Sequence, residues 1–582
     1  MNEILAQSTI RGRREKLRQM TCGKGTDGVY TATLERIMGQ DGDQGELGVR
    51  VLTWVSRSER QLGAEELCHA LGIEEDSMEL DPENVPAIET LLGCCLGLVS
   101  VDEEGSRVRL IHLTLREYLS GRPDLFGNAH SKMADVCLTY LNFQSIKDLP
   151  TNLWTPRETT PFLDYASCYW GVHARKQLTE HAKSLALQLL EQYDHHAAAM
   201  MFLVSRGCWE YFSDWQTLSG FTGLHAIAGF GIAEIATALI KSGRCEVNRN
   251  DPRWSTPFSW AVRNNNRDVC EVLLELGGAD PNIAESGGRT PLLIASEAGY
   301  EGIVELLLEH KEVNPNRSDS GNRTPLWEAA QNGHEGVVRL LLERKEVNSG
   351  SADERGQTPL GGAAKNGHEC IVKLLLERKE VNPNSSNEDG RTPLSGAALG
   401  GHESIVKLLL ECREVNSDTS DWGNRTPLWG AAKNGHEGIV KLLLERKEVN
   451  PDSFNEDGQT PLLVAAEHGH ESIVKLLLER KEVNPNSSNE DGQTPLLVAA
   501  SGGHEGIVKL LLEHKEVNPY PFDNSGNNAA LAGDQMEAQG CSVAAPSKAQ
   551  PKPPRPLMRM PAPLPAVFSQ HSRYRHHFRF IQ

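Results

Sequence analysis

The chain has 582 residues and a net charge of −20. That length exceeds a single domain, and the acidic excess excludes a general binder of nucleic acid or of anionic membrane surfaces. Twelve cysteines are scattered without a single C-x-x-C pair, which excludes a disulfide framework or cysteine zinc site and fits reduced thiols in the cytoplasm.

The opening "MNEILAQSTIRGRREKLRQM" lacks the apolar core of a signal peptide. Residues 1–29 are polar and basic, and disorder is expected there. Within them "TCGKGTDG", Thr21–Gly28, is the one stretch that approaches a phosphate loop. Gly25 follows Lys24 where Ser or Thr is needed, Arg18 stands where the first glycine belongs, and no strand precedes it. No nucleotide is expected to bind.

From Tyr30 to Phe143 the text predicts a compact mixed domain. "YTATLERIMG", "GELGVRVLTWVSRSER" and "GAEELCHALGI" read as helices, and "LGLVSVDEEGSRVRLIH" places β-branched runs on both sides of a turn, a hairpin. "TLREYLSG" begins another helix. Helices followed by a two-stranded wing predict a winged-helix domain. Between Glu46 and Leu125 sixteen acidic residues face seven basic ones, the wrong field for a DNA reader. His112, at the corner between wing and helix, is expected to cap or fill that corner. Residues 144–217 are predicted to form a helical connector through "PFLDYASCYWGVHARK" and "TEHAKSLALQLLEQY". Its run "AAAMMFLV", Ala197–Val204, is far shorter than the roughly 20 residues a membrane span needs.

A repeat then takes over. Thr-Pro occurs at Thr256, Thr290, Thr324, Thr358, Thr392, Thr426, Thr460 and Thr494, each 34 residues after the last, and "FTGLHAIAGFG" puts Thr222 in the same frame. Nine repeats at this period, over residues 218–518, mean a solenoid. In "TPLLVAAEHGH" Thr460 suits an N-cap, Pro461 the first helical position and Gly469 a left-handed stop. "ESIVKLLLER" follows as a second helix with Ile473, Leu476 and Leu477 on one face and a Glu471–Lys475 ion pair on the wet side, about 0.3 kcal/mol. "NPNSSNEDGQ" buries nothing and loops out as a finger. Past residue 519 "NSGNNAALAG" is a decayed tenth repeat. The stretch from Cys541 holds eight prolines and no acidic residue, so disorder is expected. Lys548, Pro551 and Pro554 stand at a spacing that could dock in an SH3-type groove, beside a basic Arg573, Arg575 and Arg579 patch.

The string T-P-L-x-x-A-A-x-x-G-H resembles the ankyrin repeat with one added residue. The fold class expected is mainly α: an ankyrin-repeat solenoid preceded by a winged-helix domain and a helical connector. "VLTWVSRSERQLGAEELCHALGI", "ETLLGCCLGLVSVDEEGSRVRLIHLTLREYLS" and "PFLDYASCYWGVHARK", in that order before such an array, resemble the fungal NACHT–ankyrin proteins, NOD-like signal-transducing ATPases. The similarity covers roughly residues 30–518. The winged-helix segment is also similar to that of fungal proteins labelled as GPI inositol-deacylase relatives. The resemblance implies a NACHT NTPase, a winged helix, a connector and a repeat sensor; here only "YTATLERIMG" stands as the end of the NTPase. It also implies a histidine that reaches a bound diphosphate, at the place of His112, but Leu113 follows where the family commonly has an acidic residue.

Catalytic readings fail. There is no G-x-S-x-G turn for a serine hydrolase. His334, His368, His402, His436, His470 and His504 recur one repeat apart, and helices packed about 8–10 Å apart cannot share one ion with ligands near 2 Å. A helix-start histidine bonded to the adjacent finger is expected instead. The "SSNEDG" fingers begin like a calcium loop but lack the glutamate at its twelfth position. No cofactor or metal is expected, and no enzyme. The reading is a non-catalytic protein-binding scaffold; the alternative is a truncated NTPase whose phosphate loop lies upstream or in a partner.

Comparing repeats with one another separates frame from variation. Second helices such as those at Ile371 and Ile473 barely change. Variation gathers at the end of the first helix, in Gln331, Asn332, Lys365, Asn366, Lys433, Asn434, Glu467 and His468. It recurs inside that helix at Trp327 and Trp429, and just before Thr-Pro at Arg391 and Arg425. The ankyrin resemblance places these on the concave face, and a Trp and Arg surface has the composition of binding hot spots. The competing reading is drift among duplicates, with both tryptophans packing between repeats.

Overall fold

The computed structural model describes residues 26–102, 107–149, 160–205 and 220–528. The phosphate-loop candidate Lys24, most of the wing turn and the tail with its SH3-type spacing lie outside them. The first helix, α1 (Thr26–Met38), begins within the stretch expected to be disordered. It is followed by α2 (Gln44–Arg57), α3 (Ala64–Gly72) and α4 (Ile88–Cys94). Alternation in "LVSV" and "RVRL" then makes β1 (Val99–Val101) and β2 (Val108–Leu110), antiparallel with Ser100 opposite Arg109. A bridge between Gly63 and Arg107 ties this wing to the start of α3. Helix α5 (Leu113–Ser120) leaves the wing with His112 as its N-cap: the exposed ring's Nδ1 accepts from the Thr114 amide at 3.2 Å. The expected capping role is what the geometry carries.

Then come α6 (Pro123–Phe126), α7 (Ala129–Leu141), α8 (Gln144–Lys147), α9 (Leu163–Lys176), α10 (Glu180–Leu190) and α11 (Ala197–Ser205). Helices α7 and α9 lie along each other. Helix α9 also carries Trp170, fully buried, onto Phe230 of the first repeat, with ring centroids 4.9 Å apart. Gly171 permits this approach, because a Cβ there would collide with the Phe230 ring. Phe202 and Phe221 extend the aromatic cluster to Trp260 of the second repeat. Arg175 crosses the same boundary to Asn266 Oδ1 at 2.8 Å. An end repeat cannot bury its outer apolar face alone; the connector covers it.

Each repeat is built as its letters dictate. In the fifth, the Thr358 hydroxyl accepts from the Gly361 amide at 3.1 Å, Pro359 opens the first helix (Pro359–Asn366), and Gly367 ends it at φ +84°. The second helix (Glu369–Leu376) buries Ile371, Val372 and Leu375. The finger is a hairpin turned by an Asx side chain: Asp353 Oδ1 accepts from the Arg355 and Gln357 amides at 3.0 and 2.8 Å. Across the boundary, the His368 ring lies against Gly333 of the repeat before, where a Cβ would stand 2.6 Å from it. Its Nε2 donates to the Gln331 carbonyl at 3.1 Å. The pattern repeats at His334, His402, His436, His470 and His504. These histidines therefore bond the end of the preceding first helix, not the finger, because the left-handed glycine leaves that carbonyl facing them. The Glu471–Lys475 ion pair is not formed, although Glu369–Lys373 closes at 2.6 Å. After the ninth repeat the Asn524 amide docks on Asp491 O at 2.9 Å, so a tenth finger is present up to residue 528.

Candidate functional site

Successive first helices pack closely along the array, whereas successive second helices touch less. The stack therefore curves with first helices and fingers on its inner side. All twelve candidate residues lie on those elements, but they do not act alike. Trp327 is 8% exposed, and its indole N–H donates to Gln357 O at 2.8 Å, so it packs between repeats and is no projecting contact. Asn332, Asn366 and Asn434 are exposed, yet each amide donates to a carbonyl one repeat back, at 3.3, 2.8 and 2.8 Å. His468 Nδ1 faces Val464 O of its own helix at 2.9 Å, and Glu467 accepts from Gln459. Gln331, through its carbonyl, receives His368 and Asn366. Lys365 points into solvent, with no carboxylate beside it among the described residues.

Five candidates do converge. Arg391, Arg425, Trp429, Lys433 and Asn434 line one cavity of about 270 Å³ between the sixth and seventh repeats, together with Leu399, Asp421 and Gly430. Asp421, buried, accepts from Arg425 Nε at 3.0 Å and from the Gly423 and Arg425 amides. Burial pushes its carboxyl up, but the Arg425 hydrogen bonds and charge prevail and hold it below the ordinary value. Arg391 Nε is 3.5 Å from the same carboxylate, and its Nη1 is 3.9 Å from the exposed Asp389. Lys433 Nζ sits 5.1 Å from the Trp429 ring centroid, a cation–π arrangement. No carboxylate pairs with it among the described residues. Trp429 is 4% exposed and its indole N–H has no acceptor among the described residues; a buried donor left so costs about 1–3 kcal/mol. Asp421 and Gly430 were not among the candidates, since one belongs to the finger turn and the other contributes only missing volume.

Two other features are closed internally. Glu59, His130 and His173, which no motif or spacing links, bring ligand-type atoms within 4.8 Å of one another. The Glu59 amide donates to Tyr165 Oη, which faces His173 Nε2 at 2.8 Å, and the two histidines meet Nδ1 to Nδ1 at 2.9 Å. Glu59 Oε1 holds Lys176 at 2.5 Å. Burial, then His130 and Lys176, pushes His173 down to about 3. Every group has a partner within the network, which fastens the loop after α2 to α7 and α9. A cavity of about 450 Å³ between α10 and the first repeat is lined by Glu191 and Arg244, paired at 2.5 Å.

Residues 183–285, 276–351, 344–421, 413–489 and 481–532, together more than half of the chain, match the family model described as ankyrin repeats (3 copies). Residues 36–129 match the model described as GPI inositol-deacylase, winged helix domain. Among curated proteins nothing matches. Among solved structures, the crystal structure of the human ASB11 ankyrin repeat domain is similar at 27% identity, covering 38% of this chain and 97% of that one, with a TM-score of 0.34.

Proposed function

Because the chain belongs to the ankyrin-repeat family, we propose that it is a non-catalytic protein-binding scaffold that takes its partner on the inner face of the array. The observation that carries this is the cavity at Trp429. It collects five of the residues that vary between otherwise near-identical repeats and sits on the side where first helices and fingers meet. The uniform second helices supply stacking and little else. The order of winged helix, connector and array, with its resemblance to fungal NACHT–ankyrin proteins, extends the reading: the array is the sensor half of a NOD-like protein in the cytoplasm. The connector would transmit a load on the array to the winged helix through Trp170, Phe230 and the Arg175–Asn266 bond.

The test is site-specific photo-cross-linking in the full chain. A cross-linker at Asn366, exposed at the end of a first helix, should give covalent adducts with a protein partner. One at Lys407, exposed on a second helix, should give none. Adducts only at Lys407 would move the binding face to the outside and end this reading.

A further inference from the structure

Repeats three and four occupy the same frame as repeats six and seven, three units earlier, and the same residues recur: Arg289 for Arg391, Asp319 for Asp421, Arg323 for Arg425, Trp327 for Trp429. Two acidic letters of the earlier pair are lost. Glu297 becomes Leu399, and Glu328 becomes Gly430. In the earlier pair the cations are neutralised from within: Arg289 is held by Glu297, and Arg323 lies between Asp319 at 2.6 Å and the buried Glu328 at 3.2 Å. In the later pair both internal glutamates are gone. Lys433 replaces Gln331, leaving Arg391, Arg425 and Lys433 around Asp421 in an open cavity, with Arg391 also 3.9 Å from the exposed Asp389. Trp429 also loses the hydrogen bond that its counterpart Trp327 gives to Gln357.

We propose that this cavity receives the carboxylate of an Asp or Glu side chain from an extended acidic segment of a protein partner, replacing in trans the glutamate that repeat four carries at 328. The inference rests on the inner-face reading above. A carboxylate is favoured over a larger anion because the vacated positions are glutamate positions, and arginines stand in the same places in the sequence as those that hold Glu297 and Glu328 three repeats earlier, although Arg425 now grips Asp421 through Nε. The cavity is a cationic site on the array of a chain whose net charge is −20.

The experiment uses the full chain and fluorescein-labelled hexaglutamate followed by anisotropy at low salt, with hexaglutamine as control. Hexaglutamate should bind saturably and hexaglutamine should not. Gly430→Glu, which restores the letter that repeat four tolerates, should weaken binding about tenfold or more, the loss expected for one charge-assisted hydrogen bond. Lys433→Gln should weaken it less. The converse change, Glu297→Leu with Glu328→Gly, should create a second site and raise the stoichiometry, a gain that misfolding cannot mimic. Equal binding of both peptides, or affinity untouched by Gly430→Glu, overturns the proposal, and so does displacement by inorganic phosphate at lower concentration than by glutarate. If cross-links form at Asn366 while hexaglutamate ignores the cavity, the scaffold stands and the acidic chemistry falls. If neither is seen, both fall.

Discussion

The body formed by α1 to α11 and the array behind it are both largely helical, but they are held together differently. The body depends on contacts made once: Trp54 against Phe162 and Tyr165, the Tyr165–His173–His130 chain, and Trp170 on Phe230. From the third repeat onward the array depends on one set of contacts made again at each boundary: a capping threonine, a left-handed glycine and a histidine bond. In the body no contact has a substitute, so stability is concentrated. In the array each loss is borne by two neighbours, so stability is spread and individual letters are free to vary.

The sharpest way to break that contrast is at the boundary itself. Trp170→Ala should cost about 3–5 kcal/mol and unfold α9, α11 and the first two repeats together, as read by denaturant titration with amide exchange. Protection confined to α9 would mean that the connector does not seal the array. Within the array, Leu375, fully buried, should cost about 2–5 kcal/mol on change to Ala. Exchange should rise only in repeats four to six, with a multi-step unfolding curve; one cooperative transition shifted whole would remove the distinction between the regions.

Acid should separate the regions without any mutation. Burial holds His173 near 3, His196 near 4 and His225 near 3, so all three are neutral when folded. Unfolded, each takes up a proton near the ordinary value of about 6.5. Unfolding therefore absorbs protons below that pH, and stability falls as the pH drops from about 6.5 toward the folded values, by at most roughly 1.4 kcal/mol per pH unit per histidine. The body and first repeat should lose exchange protection between pH 7 and 5 well before repeats five to eight do. The smallest effect expected is Thr358→Ala, about 1 kcal/mol for a lost cap, read as faster exchange in the first helix of repeat five alone.

The contrast also decides what could be read from the letters. A contact repeated every 34 residues writes itself into the text, so the caps, the glycine stops and the buried Ile371 and Leu375 face were legible from one unit. The hairpin and the cap at His112 were legible too, because turn and cap chemistry is local. The Glu59, His130 and His173 grouping was not, since its members come from the loop after α2, from α7 and from α9, and no local pattern joins them. The Trp429 cavity was half legible. Its cationic and aromatic walls are variable letters that stand out, but Asp421 reads as an ordinary finger residue and Gly430 as an absence. Setting repeat four beside repeat seven, letter against letter, is the signal that exposes Glu328 against Gly430. Trp327 misled for a related reason: a tryptophan at a variable position looks like a hot spot until its N–H is found on Gln357 O.

The histidine bond spans 37 residues, one whole unit and three more, at each boundary from His334 to His504. A gene that gained or lost one unit of 34 residues by unequal recombination would meet no foreign seam: the new histidine would find the same carbonyl, and the new glycine the same ring. Length is thus cheap to change in this protein, but the Trp429 cavity does not share that freedom. Its Leu399 and Arg391 belong to one unit and its Trp429 and Lys433 to the next. An insertion between them would leave two intact seams and no cavity. Whatever the array binds there is inherited through the order of two adjacent units, not through the presence of either.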